Sequence, residues 1–82
     1  MTVEQITALI GGVTRRIGEE ETAIRSYTRL LNYLPKVPDP ELQSKITEIR
    51  AEEEVHRREL QEQKERLEKK LQEMKLAFIK ST

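Results

Sequence analysis

Pro35, Pro38 and Pro40 are the only prolines of this 82-residue chain, and they fall within six consecutive positions. Proline has no N–H to give a helix interior and biases the residue before it away from helical geometry. The sequence therefore divides into two long stretches without a strong breaker, one on each side of a single punctuation mark. This predicts one domain, with a first helix over about residues 2–34, a Pro-rich turn over 35–39 and a second helix over about 40–80. Thr2 and Gln5 have the spacing of a capping box at the start of the first helix. Asp39 stands where an N-cap belongs, with Pro40 at the first helical position and Glu41 near the positive end of the helix dipole. The glycines at 11, 12 and 18 all lie in the first segment. Gly11-Gly12 is expected to weaken or bend that helix, at about 1 kcal/mol per glycine relative to alanine.

Apolar periodicity supports both helices. In the first, Val3, Ile6, Ile10, Val13, Ile17, Glu20, Ile24, Tyr27, Leu31 and Leu34 recur in alternating steps of three and four, the seam of a packed helix pair. In the second, Leu42, Ile46, Ile49, Glu53, His56 and Leu60 follow the same rule. Leu67, Leu71, Met74 and Phe78 continue it as expected core after a four-residue slip near Lys64. Only 35% of the residues are hydrophobic and 4% aromatic, against 37% charged, which is too little to enclose a thick core. Elongated amphipathic helices must then complete their burial against another copy. The expected fold is all-α: an antiparallel two-helix hairpin that assembles as a dimer or higher oligomer into a four-helix bundle.

Composition also removes function classes. Lysine plus arginine and aspartate plus glutamate number 15 each, so there is no basic excess for nucleic acid or an anionic membrane surface. The absence of cysteine excludes thiolate metal sites, iron–sulfur clusters and disulfides. No secretory signal is visible at the N-terminus, and no stretch approaches the roughly 20 apolar residues of a membrane span. A cytoplasmic location is expected.

The informative residues are those that interrupt the seam. Glu20, Glu53 and His56 occupy positions that burial would give to Leu or Ile. Glu20 and Glu53 each lie about 14 residues from the turn, hence roughly 20 Å along their helices at 1.5 Å per residue. An antiparallel hairpin brings all three to one level. Glu53 and His56, three apart, share a helix face and can offer a carboxylate oxygen and an imidazole nitrogen to one ion, with Glu20 facing them. Carboxylate-bridged dimetal bundles use one Glu from each of two helices and a Glu-x-x-His from each of the other two. This chain carries one of each, so two copies about a twofold axis supply the full set. Their four carboxylates balance two divalent cations, whereas without metal they would repel one another across the layer. Glu19, Glu21, Glu52 and Glu54 are expected to point sideways or outward, with Glu21 and Glu52 the nearest to an outer supporting role.

Glu20 with Tyr27 seven residues later, followed by Glu53-x-x-His56, resembles half of the site of the ferritin-like superfamily. The likeness runs through Glu19–Tyr27 and Ile46–His56 and is nearest to rubrerythrin-type and two-helix encapsulated ferritins. The resemblance implies an iron centre of two ions per dimer, with Glu20, Glu53 and His56 as ligands and one Glu of each pair bridging the metals. It implies that Tyr27 hydrogen-bonds within the site, although an aromatic at a seam position also serves as plain packing. It further implies ferroxidase or peroxidase chemistry, a homo-oligomer, and residence inside a protein shell for the encapsulated type. That type carries a packaging tail, whereas here the sequence ends at Lys80-Ser81-Thr82 in a helical pattern. Manganese or zinc suits the same donors. The alternative reading is a metal-free antiparallel coiled-coil adaptor, in which Glu20, Glu53 and His56 fix register.

Overall fold

The computed structural model describes residues 1–34 and 39–81, in which helix α1 (Val3–Tyr33) packs against helix α2 (Pro40–Ser81). Most of the expected turn, residues 35–38, lies outside the described residues. The helix ends form where the side chains dictate. Thr2 Oγ1 accepts from the Gln5 N–H at 3.1 Å while Gln5 Oε1 accepts from the Thr2 N–H at 2.8 Å, which closes the capping box. Asp39 Oδ1 accepts from the Leu42 N–H at 3.1 Å, and its carbonyl takes the Gln43 N–H, so Asp39 is the N-cap of α2 with Pro40 at the first helical position. At the other end of α1, the Leu34 N–H donates to the Leu30 carbonyl.

α1 runs unbroken through Gly11 and Gly12, in keeping with the expected first helix. Continuous helix on both sides outweighs a local cost of about 2 kcal/mol for the pair. Its threonines fit a helix because Thr7, Thr14, Thr22 and Thr28 each donate the hydroxyl to the carbonyl four residues back.

The helices are antiparallel. Val3 at the start of α1 shares a groove with Met74 and Phe78 near the end of α2, and Arg16 lies beside Leu60 and Gln63. The molecule measures 67 × 15 × 14 Å, and α2 alone accounts for its length at about 63 Å. The slip in the α2 pattern is filled by Lys64 itself, which is half-buried between Leu60 and Leu67. Its aliphatic stem bridges the gap in the seam while its ammonium can reach water.

The core is thin. Ile6, Ile17, Ile24, Leu34 and Ile46 are buried, whereas Leu42, Ile49 and Phe78 are exposed and Leu60, Leu67, Leu71 and Met74 only half-buried. The expectation of Phe78 as core is corrected within the single chain, where it is 72% exposed. Among the described residues each helix packs against one other, so its apolar seam is covered along only part of its width. Among the described residues no helix is long and apolar enough to cross a membrane.

Candidate metal centre

Two steps along the seam of α1 beyond the Ile10–Val13 pair stands Glu20, and the antiparallel register sets Glu53 and His56 of α2 opposite it. One carboxylate oxygen from each glutamate and one imidazole nitrogen of His56 lie within 4.8 Å of one another. Donors about 2.1 Å from a shared ion are separated by at most about 4.2 Å, so a closure of about 0.6 Å by side-chain rotation would suffice. The donor set is two oxygens and one nitrogen, suited to a first-row divalent ion, and the two carboxylates match its charge. Three such donors on one ion would leave coordination positions open.

Burial separates Glu19 and Glu52 from the cluster. The Glu20 side chain is 13% exposed, against 62% for Glu19. Glu53 is half-buried and Glu52 is exposed. Glu21 and Glu54 are half-buried but turn to the flank, where they line a charged depression with Arg57 and Arg58. Of these glutamates, Glu20 and Glu53 are the two whose carboxylates come together with His56.

His56 differs from expectation. Its seam position suggested burial, yet it is exposed in the hairpin. A helix pair covers only the centre of each seam, and His56 stands at the margin, where the cluster opens outward. Tyr27 is half-buried on α1, and among the described residues no hydrogen bond joins it to Glu20, Glu53 or His56.

Sequence reasoning missed Arg16. Its Nη2 lies 3.9 Å from Glu20 Oε1 and its Nε 3.9 Å from Glu19 Oε2. The four-residue step from Arg16 to Glu20 was the available signal, since residues so spaced meet on a helix surface. On α2, one turn before Glu53 and His56, Arg50 gives Nη2 to Glu54 Oε1 at 3.4 Å, while its Nε is buried with no hydrogen-bond partner.

No protein-family model matches the chain, and neither a curated protein nor a solved structure matches it significantly.

Proposed function

We propose that this chain is a ferritin-like metal protein whose dinuclear iron centre forms between two copies, and that it oxidises ferrous iron with dioxygen or peroxide. The observation that carries the reading is the convergence of Glu20, Glu53 and His56 from two helices to within 4.8 Å. Chance alone readily puts a glutamate three residues before a histidine in so acidic a helix. It does less to bring a third donor from the other helix, at a seam position 13% exposed, to the same point.

The roles of the chain's own residues follow from this placement. Glu20 reaches across from α1 and Glu53 and His56 from α2, so the cluster assembles only when the hairpin is closed. Two carboxylates per chain neutralise one divalent ion per chain. His56 and the half-covered α2 seam leave the cluster open on one side, where a second hairpin would bring its own three donors and exclude water. The unpaired Arg50 Nε beside this layer is a buried donor that an arriving carbonyl or carboxylate could satisfy. The ferritin-like resemblance would give Tyr27 a hydrogen bond within the assembled site. Bound iron would supply the electrons that reduce the oxidant. Iron oxidation with storage and peroxide detoxification both use this donor set, and a cytoplasmic protein shell fits either one.

The test is the metal content and solution mass of the purified protein, read together with Glu20→Leu. Iron at about one ion per chain in a dimer or larger even-numbered assembly is expected, and the variant should lose it. A metal-free monomer would overturn the proposal, and manganese or zinc in the same amount would reassign the ion. A second reading, a metal-free coiled-coil adaptor, is favoured by the Arg16–Glu20 pair, which already offsets one carboxylate without any metal. Under that reading Glu20→Leu changes no metal content and leaves the oligomer intact.

A further inference from the structure

We propose that Arg16 is a displaceable internal cation on Glu20, and that a divalent ion gains the Glu20–Glu53–His56 cluster by moving the guanidinium onto Glu19. This rests on the metal-binding reading above and adds a residue that sets how tightly, and with what salt dependence, the cluster holds its ion.

The geometry has two parts. Arg16 stands one turn before Glu20 and contacts two carboxylates at once, Glu20 through Nη2 and Glu19 through Nε, both at 3.9 Å. At that distance neither contact is a hydrogen bond, so charge alone holds the guanidinium in place. Its partners differ sharply: Glu20 is 13% exposed and faces α2, while Glu19 is 62% exposed on the outer surface. Arg16 is itself 59% exposed and can shift from one to the other with little loss of packing. Arg16 also lines a depression of about 180 Å³ with His56, Glu59, Leu60 and Gln63. His56 of the cluster lines that depression, so Arg16 shares a depression with one member of the cluster and pairs with another, Glu20.

The charges make Arg16 a regulator rather than a bystander. Glu20 and Glu53 carry two negative charges between them, and a guanidinium on Glu20 cancels one. An arriving divalent ion meets a like charge next to a ligand oxygen and competes with it for that oxygen. Once Glu20 turns to the ion, Glu19 offers Arg16 a place to rest further out, three residues along the same face. Because the guanidinium is largely solvated, the competition is modest and fades as salt screens it.

Manganese(II) titrated into the metal-free full chain by calorimetry, at low salt and at roughly 0.5 M, tests this without reference to turnover. Arg16→Gln should bind about three- to tenfold more tightly than wild type at low salt, and within about twofold at high salt. Arg16→Lys keeps the charge and should return towards wild type. Arg15→Gln removes the same charge one residue away and should stay within about twofold of wild type. Glu19→Gln should weaken binding more when Arg16 is present than in the Arg16→Gln background. Unchanged or weaker binding by Arg16→Gln at low salt overturns the proposal, as does an equal gain from Arg15→Gln or an equal Glu19→Gln loss in both backgrounds. Wild-type binding with any of those results leaves the metal cluster standing and removes only Arg16 from it. A wild-type chain that takes up no ion at either salt overturns both.

Discussion

α1 and α2 carry apolar seams of the same period, yet they are covered very differently. On α1, Ile6, Ile17 and Ile24 are buried and Leu34 closes the end; on α2 only Ile46 is. The difference lies in what each helix sets beside its partner's seam. α2 from Arg57 onward is built largely from Arg, Lys, Glu and Gln, whose long stems fold over neighbouring apolar surface while their heads stay in water. α1 holds every glycine of the chain and four threonines whose hydroxyls turn back to their own backbone, so it offers its partner little cover. Burial in a two-helix unit is thus decided by the other helix's flanks as much as by the seam itself. α2 is left with the more exposed seam, and the cluster of Glu20, Glu53 and His56 lies beside it.

The sharpest way to break this contrast is to truncate matched residues. Ile6→Ala removes a side chain that is 1% exposed and should cost about 2–4 kcal/mol in urea unfolding. Ile49→Ala, at 38% exposed, should cost about 1 kcal/mol if the hairpin stands alone. A cost at Ile49 as large as that at Ile6, growing with protein concentration, would place Ile49 inside an assembly. The contrast would then belong to the isolated chain only.

Substitution in the polar layer tests the contrast at its centre. Glu20→Leu should raise the stability of the metal-free protein by about 1 kcal/mol, because a mostly covered carboxylate with only a long contact to Arg16 gives way to a side chain the seam favours. His56→Leu on the exposed margin of α2 should leave metal-free stability within about 0.5 kcal/mol while still weakening ion binding. Thermal unfolding in the presence of a chelator separates these two outcomes.

Much of this was legible in the letters. The three prolines, Asp39 and the Thr2–Gln5 pair located both helix starts, because capping and proline geometry are local and few residue types satisfy them. The choice of Glu20 over Glu19 and Glu21 followed from a seam that keeps strict register over ten positions. Burial was less legible. Phe78 and His56 sit on the periodic pattern, but the pattern gives direction, and the amount of cover depends on how many helices stand round the seam. Arg16 escaped notice because a four-residue Arg–Glu step is common on helix surfaces. Only the unequal burial of Glu19 and Glu20 makes it distinctive.

Helix caps should show smaller effects, again unequally. Asp39→Ala removes the side-chain acceptor for the Leu42 N–H at the start of the helix that lacks a deep core, and should cost about 1 kcal/mol. Thr2→Ala at the open end of α1 should cost less, about 0.5 kcal/mol, since the terminal turn frays whether or not it is capped. Hydrogen exchange should localise the two losses to opposite ends of the hairpin.

Substitution of the glycines tests whether α1 is as free on its far side as the hairpin makes it. A Cβ added at Gly11, Gly12 or Gly18 meets nothing within 4 Å. All three glycines are helical without positive φ, so nothing inside the hairpin requires them. Each change to alanine should therefore stabilise the protein, by about 0.5–1 kcal/mol, through the smaller entropy the unfolded chain then loses. The sign matters more than the size. A loss of stability at Gly11 or Gly18 but not at Gly12, read by urea unfolding at two protein concentrations, would mean that another helix approaches α1 along the face those two residues share, seven apart. α1 would then be covered on two sides while α2 stays open on one, which deepens the asymmetry and fixes which way a second copy must lie.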